Sequence, residues 1–204
     1  MSGSLHGPVL GVVLAGGASR RYGSDKALAR LDGRALLAHV IGRVRPQVNE
    51  LILSGPARST FPDPAIADEQ PGQGPLAALC TVLRWADARQ SPLVATFACD
   101  TPFIPIDCVA EFRAAIGAHD CAVASRAGEL QPTCALWRTA ALARLEEVLA
   151  SGVRSLRGAI NAVDAMTVEF HAEAGGRNDP FFNINQLQDM KIAQTWLERD
   201  RIFA

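Results

Sequence analysis

The sequence predicts a three-layer α/β/α domain with a mostly parallel central sheet, on two observations. Five short runs, Val9–Leu14 (VLGVVL), Leu51–Leu53, Leu93–Cys99 (LVATFAC), Cys121–Ala124 and Thr133–Trp137, are almost continuously apolar. Strands covered by helices on both faces read this way. Between and after them, apolar residues recur at helical spacing: Leu36/Leu37, Val40/Ile41 and Val44; Leu76, Leu79, Cys80 and Leu83; Leu142, Leu145 and Leu149; and Leu187, Met190, Ala193, Trp196 and Leu197. Such stripes are core-facing helix surfaces. A β-α-β-α-β order implies right-handed crossovers. In sheets of this kind ligands bind beyond the carboxyl ends of the strands, so chemistry is expected just after each apolar run.

The chain has 204 residues, 49% hydrophobic and 20% charged, with a formal net charge of −1. That length fits one domain over residues 1–204, with residues 1–7 as a flexible N-terminus, and a core that needs neither disulfides nor a structural metal. The balanced charge argues against nucleic-acid and membrane-surface partners. No stretch approaches a membrane span, and the run at Val9 has no basic segment before it, so it does not read as a secretion signal. A cytoplasmic location is expected. The five cysteines stand singly and the four histidines are scattered, without metal-ligand spacing.

Each apolar run is followed by polar punctuation. The first ends in Leu14-Ala15-Gly16-Gly17-Ala18-Ser19-Arg20-Arg21-Tyr22-Gly23-Ser24-Asp25-Lys26. Glycines let backbone N–H groups approach an anion, while Arg21 and Lys26 add a planar fork and a point charge. A polyphosphate fits. The spacing is neither GxGxxG nor Walker A, since Ala27 follows Lys26 where the latter needs Ser or Thr. The third run ends in Cys99-Asp100-Thr101-Pro102-Phe103-Ile104-Pro105, a carboxylate at the expected ligand edge. Asp107 beyond it reads as an N-cap. Asp68-Glu69-Gln70-Pro71-Gly72-Gln73-Gly74-Pro75 leads into the second stripe, with Pro75 suited to a first helical turn. Near the C-terminus, Asn183 and Asn185 in FFNIN point the same way if that segment is extended.

LAGGASRRYGSDK resembles LAGGxSxRMGxDK, the N-terminal signature of the molybdenum cofactor guanylyltransferases within the nucleotidyltransferases that activate sugars and pterins. GPLAAL, CDTPFIP and FFNINQLQD are similar to that family's GPLAG, CDxPFxP and FxNINTPxDL, and the four occur in family order. Tyr22 replaces the usual Met, and Gln186-Leu187-Gln188 replaces Thr-Pro-Glu. The resemblance implies a Rossmann-like nucleotidyltransferase domain. It places Leu14, Ala15, Gly16, Gly17, Arg21 and Lys26 around the nucleotide, with Arg21 and Lys26 on its triphosphate. Asp68, Gly74 and Pro75 then face the nucleoside, where either a carboxylate or a backbone carbonyl suits the guanine donors. Ser54 stands where the family often has Asn, a ribose or base contact.

Asp100 is then the Mg²⁺ ligand, and Asn183 and Asn185 face the acceptor or the metal. Arg126, Arg154 and Arg157 fit the molybdopterin phosphate or the pterin; Arg154 and Arg157, three apart on one short expected helix, fit surface charge equally well. Glu129 and Gln131 lie where acceptor contacts are common in this fold. The implied reaction is transfer of GMP from GTP to the phosphate of molybdopterin or Mo-molybdopterin, releasing pyrophosphate, with other molybdenum cofactor proteins as partners. A cytidylyl- or sugar-phosphate nucleotidyltransferase is the alternative within the fold; a GTP-binding partner protein without catalysis is the alternative outside the enzymes.

Overall fold

The computed structural model describes residues 7–16, 25–58, 61–69, 72–171 and 178–203. Of the expected flexible N-terminus only Gly7 falls within that range. Its carbonyl accepts a hydrogen bond from Arg113.

Seven strands form one sheet: β1 (Val9–Leu14), β4 (Glu50–Ser54), β5 (Ala65–Ile66), β6 (Leu93–Ala98), β7 (Cys121–Arg126), β8 (Glu129–Arg138) and β9 (Ala165–Glu169), in the spatial order β5-β4-β1-β6-β8-β7-β9. Two short strands, β2 (Arg30–Leu31) and β3 (Arg34–Ala35), make a separate antiparallel pair. In the main sheet every pairing is parallel except the two made by β8. The mostly parallel sheet expected from the apolar runs is present.

Six helices flank the strands: α1 (Leu36–Val44), α2 (Pro75–Asp87), α3 (Cys108–Ile116), α4 (Leu142–Ala150), α5 (Leu156–Ala162) and α6 (Leu187–Phe203). Period-two alternation sorts β1 between two cores. Val9 and Val13 pack with Leu37, Val40, Val44, Val109 and Phe112 of α1 and α3. Leu10 and Val12 pack with Leu76, Leu79, Leu83, Leu145 and Ile160 of α2, α4 and α5. Trp137 is wholly buried, and its ring N–H donates to Thr96 Oγ1 at 3.2 Å. A buried polar handle needs such a partner.

A third, smaller core lies apart from these two. Leu31, Leu36, Phe103, Ile184 and Ala193 are buried together, with Phe182, Met190, Trp196 and Leu197 against them. Trp196 lies 5.4 Å from Phe103 and 4.8 Å from Phe182, ring centre to ring centre. This cluster joins three segments distant in sequence: the residues after Lys26, the loop after Asp100, and the approach to α6. Leu187, expected in the α6 stripe, is instead 73% exposed because it is the first residue of the helix.

Other expectations shift. The apolar run at Thr133 belongs to a longer strand that begins at Glu129 and runs antiparallel to its neighbours. Ala127 (φ 51°) and Gly128 (φ 79°) make the two-residue turn from β7, both in the left-handed region that such hairpins need. Glu129 and Gln131 therefore lie on a strand, and the register slips between Val123 and Ala124, opposite the stretch containing Pro132. A proline has no N–H for the ladder, so it sits at such irregularities. Arg154 precedes Ser155, the N-cap of α5, so it does not share that helix with Arg157. Asp107 does occupy the N-cap position of α3, but its side chain makes no capping bond.

Candidate active site

The carboxyl ends of β1, β4 and β6 are fastened side by side. Ala15 N donates to Ser54 O at 2.8 Å, and Cys99 N donates to Leu14 O at 3.3 Å. Gly55 follows β4 with φ +138°, and a Cβ there would lie 2.7 Å from Gly16 N. Only glycine admits the chain so close to the start of the Gly16 loop. Leu14, Ala15, Gly16 and Ser54 are thus brought together as the sequence implied. Gly17 and Arg21 lie outside the described residues.

Lys26 opens a single 3₁₀ turn, Lys26–Leu28, capped by Asp25, whose Oδ1 accepts from Ala27 N at 3.1 Å. Its ammonium donates to Asp100 Oδ2 at 2.5 Å, to Asn185 Oδ1 at 2.7 Å and to Asn183 Oδ1 at 3.4 Å. All three N–H bonds of the lysine are used. Four of the sequence-predicted site residues therefore meet at one point. Asn183 and Asn185 reach it without a strand, from irregular backbone that Ile184 N ties to Asp100 O at 3.0 Å. Asp189 secures the same segment, since its Oδ2 accepts from Asn185 N at 2.7 Å and Gln186 N at 2.9 Å. An acid in the first helical turn reaching back to free backbone N–H groups is half of a capping box.

The other oxygen of Asp100, Oδ1, is buried and has no hydrogen-bond partner among the described residues. Such an acceptor costs free energy unless something fills it. A carboxylate oxygen is the hard donor that a divalent cation such as Mg²⁺ takes, with phosphate oxygens and water completing its shell. Among the described residues no group of three or more His, Cys, Asp or Glu side chains converges on a metal position. The adjacent Cys99 thiol is pushed up to about 12 by burial and is neutral at physiological pH.

Asp68 stands two residues beyond β5, and Gly74 and Pro75 form the N-cap and first residue of α2. Gly74 has φ +85°, and a Cβ there would meet Arg154 O at 2.9 Å, where Leu76 N also donates. Arg157 reaches Leu130 O at 3.5 Å and stands 4.0 Å from Glu129, while Arg154 donates to Leu149 O at 2.6 Å. Arg126 ends β7 beside the hairpin turn.

Sequence reasoning missed Arg58. It bonds both oxygens of Asp25 (Nε 2.8 Å, Nη2 3.2 Å), Ala15 O at 2.9 Å and Pro56 O at 3.1 Å. The hydrogen bond from Arg58 holds the Asp25 carboxyl below the ordinary carboxylate range.

With this geometry in view, the likeness to known proteins is specific. The MobA-like NTP transferase domain matches residues 11–165. The chain belongs to that family. The molybdenum cofactor guanylyltransferase of Mesorhizobium japonicum is 40% identical over 200 residues, covering 93% of this chain and 96% of that protein. Its counterpart from Cereibacter sphaeroides is 37% identical over 197 residues, covering 94% and 98%. Among solved structures, molybdopterin-guanine dinucleotide biosynthesis protein A from Archaeoglobus fulgidus superposes with a TM-score of 0.74 at 21% identity, covering 93% of this chain and 99% of that one. The MobA-like domain spans β1 to the start of β9. The asparagines on Lys26 lie beyond its matched range, on the segment that α6 and the third core hold in place.

Proposed function

We propose that this MobA-like nucleotidyltransferase transfers GMP from GTP to the phosphate of molybdopterin or Mo-molybdopterin, releasing pyrophosphate. The observation that carries the reading is the convergence of Lys26, Asp100, Asn183 and Asn185 at the carboxyl edge of the sheet. The guanylyltransferase names of relatives at 37% and 40% identity support the choice of nucleotide and acceptor.

The reaction is in-line attack of the acceptor phosphate on the α-phosphorus of GTP. A phosphate monoester has a second pKa of about 6, so the nucleophile is already largely dianionic at neutral pH and needs no general base. Rate enhancement then comes from positioning and charge neutralisation. Backbone N–H groups after β1 and the Lys26 ammonium receive the triphosphate, with Arg21 as a further cation. Ser54 and the Asp68 and Gly74–Pro75 segments take the nucleoside, where the opening of α2 also presents a helix N-terminus. Asn183 and Asn185 orient Lys26 and face the acceptor. Arg126, Arg154, Arg157, Glu129 and Gln131, along the β7–β8 hairpin and α5, are the contacts proposed for the pterin and its phosphate. Asp100 would hold Mg²⁺, which when bound would supply neutralisation of phosphate charge.

Pyrophosphate release, followed with GTP, CTP, Mg²⁺ and molybdopterin for wild type and Asp100→Ala, tests the reading. Release confined to GTP, and lower by roughly 10²–10³ in the variant, is expected. Release with CTP alone would move the substrate while keeping the fold. Absence of release with either nucleotide would leave a nucleotide-binding protein.

A further inference from the structure

Arg58 lies in the segment after β4, yet its side chain is only 7% exposed. Its guanidinium spends four of its five N–H groups on protein atoms: both carboxylate oxygens of Asp25 and the carbonyls of Ala15 and Pro56. Ala15 precedes the glycine loop and Asp25 closes it, so one planar fork holds the two ends together. Asp25 in turn caps the turn through Ala27 N, and that turn is closed by Leu28 N on Asp25 O and Ala29 N on Lys26 O. The contacts therefore run unbroken from Arg58 through Asp25 to the residue that touches Asp100.

We propose that Arg58 is a positioning residue for the nucleotide: it acts through Asp25 and Ala15, fixing these two residues relative to each other and with them the aim of Lys26, and does not itself contact phosphate. The proposal rests on the reading that the segment from Leu14 to Lys26 receives the triphosphate. An exposed ion pair would do little of this kind. Here the arginine is enclosed, and two of its four partners are backbone carbonyls that only a fork can satisfy together with a carboxylate. Displacing a catalytic group by about 1 Å can cost of order 10²-fold in rate.

The test is a double-mutant cycle of Arg58→Ala and Asp25→Asn, with Arg58→Lys as the conservative variant and thermal melts of each. Pyrophosphate release is measured over a range of GTP and acceptor concentrations. For Arg58→Ala the expected change is a rise of about tenfold or more in KM for GTP, with KM for the acceptor unchanged. The double variant should be little worse than the more impaired single one, since both break the same chain of contacts. Arg58→Lys, which reaches the carboxylate but not the carbonyls, should recover part of the loss.

Additive losses would overturn the proposal, because Arg58 would then act on substrate independently of Asp25. So would KM for both substrates rising together, or Arg58→Ala behaving as wild type. Amide hydrogen exchange of the peptide Asp25–Leu28, expected to quicken in Arg58→Ala and in Asp25→Asn, reads the same linkage without turnover. If wild type released no pyrophosphate from GTP, the functional reading would fall, while unchanged exchange in both variants would overturn the linkage itself.

Discussion

Lys26 Nζ lies 2.5 Å from Asp100 Oδ2, with both side chains largely enclosed (14% and 16% exposed). The ammonium is the counter-charge of the carboxylate proposed to hold the metal. A cation on the opposite oxygen, Oδ1, would be repelled by the ammonium on Oδ2, and a triphosphate, by drawing the ammonium to itself, would favour the cation. Lys26→Met should accordingly bind Mn²⁺ more tightly than wild type in the absence of nucleotide, by titration calorimetry. Its rate of pyrophosphate release should nevertheless fall roughly 10²–10³-fold. Equal or weaker Mn²⁺ binding would mean that the ammonium does not repel the metal.

Asp189 carries the second support of the cluster, through the backbone N–H groups of Asn185 and Gln186. Asp189→Ala removes both bonds, and loss of a helix-end cap costs about 1 kcal/mol. For a chain of this size that is a fall of about 2–4 °C in Tm. Because Asn185 also accepts from Lys26, activity should drop with stability, whereas Asp189→Asn should retain part of each. A melt unchanged in Asp189→Ala would show that Phe103, Phe182 and Trp196 hold the segment without the cap.

These supports also show what the sequence could carry. Asp100 and Lys26 were legible because each follows an apolar run, at the edge where a parallel sheet must present its ligands. The asparagines were legible only by resemblance, since the strand alternation offered for them is absent and a capped loop aims them instead. Arg58 gave no local signal: its partner is 33 residues away, and an arginine after a strand reads as surface charge. Strand direction was equally hidden, because an apolar run has no polarity; Ala127-Gly128 was the one cue that β8 turns back on β7. The strands β2, β3 and β5 are two residues each, too short for any periodicity.

Asp25 gives a pH dependence of definite sign. Its carboxyl is held below its unfolded value by the Arg58 hydrogen bond. A group depressed on folding contributes stability above its unfolded pKa and loses it as pH falls through the folded one. Wild type should therefore exceed Asp25→Asn in Tm at neutral pH, and the gap should close below about pH 4 as the carboxylate protonates. Asp25 is 38% exposed, so added salt should narrow the gap as well. Melts from pH 7 to pH 3 at two ionic strengths read both effects; a gap that widened in acid would contradict the ion pair.

Gly55 links stability to the end of the site proposed to receive phosphate. Its φ of +138° suits glycine alone, and a Cβ would stand 2.7 Å from Gly16 N and 2.9 Å from the Ala15 carbonyl carbon, both backbone atoms that cannot rotate aside. Gly55→Ala must strain its own backbone or push residues 15 and 16 away from β4, at a cost of about 1–3 kcal/mol. Ala15 and Gly16 are among the residues proposed to receive the nucleotide, so KM for GTP should rise while KM for the acceptor holds. Gly33 makes the control: its φ is +75°, nothing lies within 4 Å of its Cβ position, and it is part of the β2–β3 turn. Gly33→Ala should lose some stability by backbone strain alone and leave KM for GTP as in wild type. If both variants raised that KM alike, close approach of Gly55 to Gly16 would not be what shapes the loop.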